Sequence, residues 1–113
     1  MPELPEVETT RRGLAPHVEG QRITQVQVFE PRLRWPVDPG LAQVLTGLTV
    51  ARLERRAKYL LFRLGAGALM VHLGMSGSLQ LKRPPFERLR HDHILLTLGS
   101  GAVLVFNDPR RFG

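Results

Sequence analysis

The chain has 113 residues, one domain's worth, and its 42% hydrophobic and 23% charged content is that of a folded protein with a real core. Cysteine is absent, which excludes within these residues a disulfide framework, a thiol nucleophile and a thiolate zinc site. Sixteen Lys and Arg against ten Asp and Glu leave a formal charge of +6, and that balance favours a polyanionic partner, nucleic acid first.

The opening stretch "MPELPEVETTRRGL" has helix grammar. Pro5 suits a first turn, Glu6 and Glu8 complement the positive end of the helix dipole, and Arg11 and Arg12 come later. A short helix is predicted from about residue 4, with Leu4, Val7 and Leu14 on one face. Gly13 and Pro16 should end it near residue 15. Arg11 falls in the middle of the apolar stripe and must snorkel or find a partner. Next, "RITQVQVF" alternates as a strand, and "PGLAQVLTGL" reads as a helix of one to three turns. The apolar stretches "TVARLERRAKYLLFRL", "ALMVHL", "SLQL", "HILLTL" and "AVLVF" complete about six strands. "GAG" and "GSG" read as hairpin turns, "GMSGS" as a glycine-rich bend and "KRPPFERLR" as an exposed basic loop. The fold predicted is mainly β with α: a two-sheet antiparallel β-sandwich with the N-terminal helix packed at its edge, one domain over residues 1–113. Apolar runs such as "YLLF" are far shorter than the roughly 20 residues of a membrane span. The acidic N-terminus is unlike a signal peptide, so cytoplasmic residence and a monomer are expected.

Chemistry begins at Pro2. Once Met1 is removed, its nitrogen is a terminal secondary amine, far less protonated at neutral pH than a lysine. Attack by it on a sugar C1′ or an aldehyde gives an iminium, an electron sink for elimination, and Glu3 beside it can move protons. Taken alone, the stretch reads first as a helix start with dipole-matched acids and second as a nucleophile. Lys58 stands equally well as a solvated strand residue. His72, in an apolar strand, reads first as a core histidine. His91, Asp92 and His93 form a trio that would also suit a metal. Met75 and Phe112 read as core filler, Arg110 as a solvated arginine, and Trp35 as core under a basic face.

"MPELPEVETTRRGL", "RRAKYLL", "HLGMSGSL", "HDH" and "DPRRFG", in this order and over essentially the whole chain, resemble the N-terminal domain of the bacterial formamidopyrimidine-DNA glycosylases. The resemblance implies base-excision repair of 8-oxoguanine and ring-opened formamidopyrimidines in double-stranded DNA, by a glycosylase that is also an AP lyase. It implies Pro2 as the Schiff-base nucleophile, Glu3 as proton donor, and Lys58 as the phosphate contact and proton donor of β-elimination. His72, His91 and Arg110 would contact DNA, and Met75, Arg110 and Phe112 would fill the gap left by a flipped base. Members of the family continue past "DPRRFG" into a helix-two-turn-helix module and a four-cysteine zinc finger, which carries the arginine for δ-elimination. Neither is in this sequence, so no cofactor is expected in these residues and structural zinc only in that further region. Two other readings stay open: a non-catalytic basic β-sandwich that binds nucleic acid, and an endonuclease VIII-like glycosylase for oxidised pyrimidines.

Overall fold

The computed structural model describes residues 4–30, 40–65, 67–74 and 76–109. Helix α1 (Leu4–Val18) leads into strand β1 (Ile23–Val28), the short helix α2 (Leu41–Leu45), and strands β2 (Arg52–Arg56), β3 (Tyr59–Leu64), β4 (Gly67–His72), β5 (Ser78–Lys82), β6 (Asp92–Leu98) and β7 (Val103–Asn107). Two antiparallel sheets result, one ordered β1-β6-β7-β5 and the other β2-β3-β4. α1 packs on β2, the edge strand of the smaller sheet, as predicted.

One apolar cluster joins both sheets to the helix: Val7, Leu14 and Val18 of α1, Leu53 of β2, Leu60, Phe62 and Leu64 of β3, Leu79 of β5, Leu96 of β6, and Leu104 and Phe106 of β7. Burial of each such side chain contributes about 1.5–3 kcal/mol. The pull of that core explains where α1 ends. It runs through Pro16 to Val18, three residues beyond the predicted end, because Val18 lies one turn beyond Leu14 on the core face and is fully buried. The stop is Gly20, whose φ of +82° is the left-handed conformation glycine adopts freely, and its N–H bonds the Val50 carbonyl.

The described residues form seven strands, one more than the pattern suggested, because "RLERRAKYLLFRL" folds back on itself. Arg56 pairs with Tyr59, so Ala57 and Lys58 form a two-residue hairpin loop in a stretch that carries none of the usual turn residues. Ala57 supplies the required backbone with a φ of +50°. Lys58 is therefore a turn residue, not a strand residue. "KRPPFERLR" is likewise more than an exposed loop. Phe86 docks on the outer face of the larger sheet against Leu95, Val103 and Val105, which explains why β6 and β7 read as nearly continuous apolar runs.

Arg11 finds its partner in Glu8, whose carboxylate also accepts from Arg12 and, across the fold, from Arg55 of β2 at 2.9 Å. Hydrogen bonds from Arg11, then Arg55 and Arg12, hold Glu8 well below the usual carboxylate range. Glu54 is lowered too, chiefly by its bond from Arg63 at 2.6 Å.

Two glycines make opposite predictions. A Cβ on Gly77 would stand 2.2 Å from the Leu73 carbonyl oxygen, whereas one on Gly13, on the exposed side of α1, meets nothing within 4 Å. In denaturant titrations Gly77→Ala should lower stability by about 1–3 kcal/mol, and Gly13→Ala should raise it by about 0.4–1 kcal/mol. Glu8 predicts a pH dependence. Its folded-state pKa is below the unfolded one, so its contribution is complete above the ordinary glutamate value near 4.3 and is lost as pH falls through the folded value. The stability gap between the wild-type chain and Glu8→Gln, followed by thermal melts across pH, should be widest near neutrality and close progressively in acid, with high salt narrowing it.

Candidate nucleic-acid interface

Strand register brings the distant motifs to one end of the sandwich. The hairpin loop at Ala57 and Lys58 sits where Arg56 pairs with Tyr59, and Tyr59 in turn pairs with His72, the last residue of β4. The next five residues cross to the other sheet and enter β5 at Ser78, which pairs with Asn107, itself paired with Asp92. The loop 57–58, the crossing 73–77, the segment up to His91, and Asp108 with Pro109 therefore all emerge together. α1 points its N-terminal half the same way: Glu8 meets Arg55 beside the hairpin loop, while Glu19, near the other end, accepts from the Leu53 N–H at 2.8 Å.

Polar bonds fix this end. Gly74, at φ +66°, and Gly77 give the crossing its tight course, closed by the Gly77 N–H to the Leu73 carbonyl at 2.8 Å. Ser76 donates to the carboxylate of Asp108, which is completely buried. The Asp108 N–H bonds the His91 carbonyl at 3.1 Å, and the Asp108 carbonyl lies 2.6 Å from His93 Nε2. A carbonyl only accepts, so that ring nitrogen carries the hydrogen. Asp92, also buried, accepts from the Leu89 N–H and from Asn107 Nδ2, both at 2.8 Å.

The His91-Asp92-His93 trio thus divides its labour, and its donors do not fit a metal. Asp92 braces the approach to β6, buried His93 holds the Asp108 backbone, and half-buried His91 has its ring 6.1 Å from that of His93. Among the described residues no three His, Cys, Asp or Glu groups are placed to hold a metal ion. His72 is half-buried at the sheet end rather than in the core, with its ring 5.1 Å from that of Tyr59. Lys58 is half-buried in its loop and makes no ion pair or hydrogen bond among the described residues. Arg88 lies 3.9 Å over the ring of Phe29 and donates to the Asp92 carbonyl, which pins the basic loop to the same end.

Of the residues singled out in the sequence, Lys58 and His72 flank the paired Tyr59 at the end of one sheet, and His91 precedes β6 at the same end of the other. Pro2, Glu3, Trp35, Met75, Arg110, Phe112 and the Leu4 side chain lie outside the described residues, although Gly74, Ser76 and Pro109, the neighbours of Met75 and Arg110, are at this end. Sequence reading passed over Glu8 as a partner for Arg55, Ser76 as a partner for Asp108, and Asp92 and Asp108 as buried acids. The i,i+3 and i,i+4 spacing of Glu8 with Arg11 and Arg12 was a usable signal only for the pairs within the helix. Nothing local signals the others, which depend on pairing between strands.

The family model described as the formamidopyrimidine-DNA glycosylase N-terminal domain matches residues 1–113. The formamidopyrimidine-DNA glycosylases of Hahella chejuensis and Thioalkalivibrio sulfidiphilus are 56% and 60% identical over 113 residues, covering all of this chain and 42% of each relative. The chain therefore spans less than half the length of the curated relatives it matches. Among solved structures, the Lactococcus lactis formamidopyrimidine-DNA glycosylase bound to DNA containing an AP site aligns with a TM-score of 0.90 at 37% identity, over 98% of this chain and 43% of that one. The same enzyme in complex with DNA containing an oxidised pyrimidine aligns with a TM-score of 0.90 at 38% identity, over 98% of this chain and 42% of that one. A sequence match that runs from residue 1 to residue 113, on a fold shared almost throughout, makes this chain a member of the formamidopyrimidine-DNA glycosylase family, spanning its N-terminal domain.

Proposed function

We propose that the chain supplies the nucleophile and the lesion-facing wall of a cytoplasmic base-excision enzyme that removes oxidised purines, 8-oxoguanine and formamidopyrimidines, from double-stranded DNA and then cuts the abasic strand. The observation that carries this reading is the emergence of the motif segments at one end of the sandwich, where Lys58, which makes no ion pair or hydrogen bond among the described residues, lies in the hairpin loop next to the Tyr59–His72 pair, and His91 precedes β6 at the matching end of the other sheet. A cationic side chain at a hairpin turn, unpaired among the described residues, suits a phosphate, which needs only a nearby ammonium to bind.

The chemistry proposed starts with the Pro2 nitrogen, freed by removal of Met1. It attacks C1′ as the bond from C1′ to the base breaks and the base leaves with a proton. The sugar ring opens with O4′ taking a proton from Glu3, and the C1′ cation is held as the iminium of Pro2. Loss of a proton from C2′ pushes electrons toward that iminium and expels the 3′ phosphate, with Lys58 at the phosphate as proton donor. Met75, Arg110 and Phe112 occupy the gap left by the extruded nucleotide, and Arg110 hydrogen-bonds the orphaned base. Structural zinc belongs to the further region of the whole protein, not to these residues. Among the described residues no helix is long and apolar enough to cross a membrane.

The test uses a chimera of this chain with the C-terminal portion of the Hahella chejuensis relative. Borohydride should trap it on a duplex containing 8-oxoguanine, with the adduct on Pro2 by mass spectrometry; Pro2→Gly should retain some trapping, and a retained Met1 should abolish it. Because the Lactococcus lactis relative has been captured with an oxidised pyrimidine, a pyrimidine-lesion duplex is run alongside. Preferential trapping there would favour an endonuclease VIII-like specificity, and no trapping on either would favour a binding module without catalysis.

The 113-residue chain by itself should bind duplex DNA only in the non-specific range, roughly 10⁻⁴–10⁻⁶ M at physiological salt. Flipping a nucleotide requires a bent duplex gripped from both sides, and this chain is one side. Fluorescence anisotropy at several salt concentrations should give a shallower salt slope than the chimera's and a lesion preference below about tenfold.

A further inference from the structure

Two of the three arginines on Glu8, Arg11 and Arg12, belong to its own helix and need no tertiary fold to reach it. Arg55 is different. It arrives from β2, gives Nε to Glu8 Oε1 at 2.9 Å, and gives Nη1 to the Ala57 carbonyl at 2.9 Å. One planar guanidinium thus bridges the helix that begins the chain and the backbone immediately before Lys58. Ala57 holds a φ of +50°, which an alanine adopts only when its surroundings over-determine it. The Lys58 side chain makes no bond among the described residues that would hold the loop from its other side.

We infer that Glu8 and Arg55 are positioning residues for Lys58: through the Ala57 carbonyl they set where the Lys58 ammonium stands relative to the start of α1, and so govern strand cleavage rather than base removal. The inference rests on the reading of Lys58 given above. Geometry makes the device specific to these residue types. The two acceptors diverge, and only a guanidinium presents N–H groups in a rigid fork that reaches both; a lysine at position 55 keeps the charge and loses one bond. The ionised state of Glu8 is secured by its three arginines, so the link stays intact through the pH range in which such an enzyme works.

The experiment compares Glu8→Gln, Arg55→Lys and the reference Lys58→Gln, in the 113-residue chain and in the chimera. In the chain, NMR-detected hydrogen exchange at the Tyr59 amide, which pairs across the hairpin with Arg56, should rise about tenfold or more in Glu8→Gln and Arg55→Lys, with the amides of β6 and β7 unchanged. In the chimera, on a duplex with a pre-formed abasic site, borohydride trapping should stay within about twofold while strand cleavage falls on the order of ten- to a hundredfold, so that the Schiff base accumulates. The double variant should be no worse than the poorer single one, because both break one link. Unchanged exchange at Tyr59, or trapping and cleavage falling together with the folded fraction, would overturn the inference. If exchange rises as expected but Lys58→Gln leaves cleavage intact, the reading of Lys58 fails and takes the inference with it; the exchange data tell that case from failure of the brace alone.

Discussion

The crossing between the two sheets is the constraint on which the rest of this domain depends. The chain leaves β4 at His72 and enters β5 at Ser78, and the Gly77 N–H closes on the Leu73 carbonyl so tightly that no side chain fits between them. That contact aligns the ends of two sheets that share no strand pairing. Once it is made, the hairpin loop of β2 and β3 and the ends of β6 and β7 face the same way, and Ser76 stands where it can donate to Asp108. The candidate interface is a consequence of this alignment more than of any one motif.

A chain with a formal charge of +6 has to hold its own cations apart from one another. This chain does so by using its acids as fasteners. Glu8 gathers three arginines, Glu54 takes Arg63, and the buried Asp92 and Asp108 bond backbone and uncharged side chains for the most part. Buried carboxylates cost much desolvation unless their oxygens are satisfied, and both meet that condition by accepting from groups that belong to other segments. Among the described residues the cations thereby divide into those that fasten one segment to another and those, such as Lys58, that make no ion pair or hydrogen bond.

The fold class was legible because its main signals are periodic. Alternation in "RITQVQVF" and the "GSG" turn read correctly from local sequence alone. The errors fell where a distant partner overrides a local preference. Val18 is buried by a core assembled from strands far along the chain, so the helix passes a proline that should have ended it. The β2–β3 turn has no glycine, asparagine or aspartate to announce it. Phe86 looked like part of a solvated loop because its docking surface is the far face of two later strands. At the site, the motifs named Lys58, His72 and His91, but motif matching ranks residues one at a time. The bonds from Ser76 to Asp108 and from Arg55 to Glu8 join residues that no sequence window contains together.

The two-residue loop at Ala57 and Lys58 also limits how this region can vary in length. Side chains along β3 alternate between faces, and Leu60, Phe62 and Leu64 reach the core only because the loop returns the chain in this register. A slip of one residue in the β2–β3 pairing would turn that row outward and bring Tyr59 and Arg63 inward, placing an arginine in the core. The lysine's place two residues before Leu60 is thus held by the hydrophobic interior as well as by the turn, whatever chemistry takes place at its ammonium.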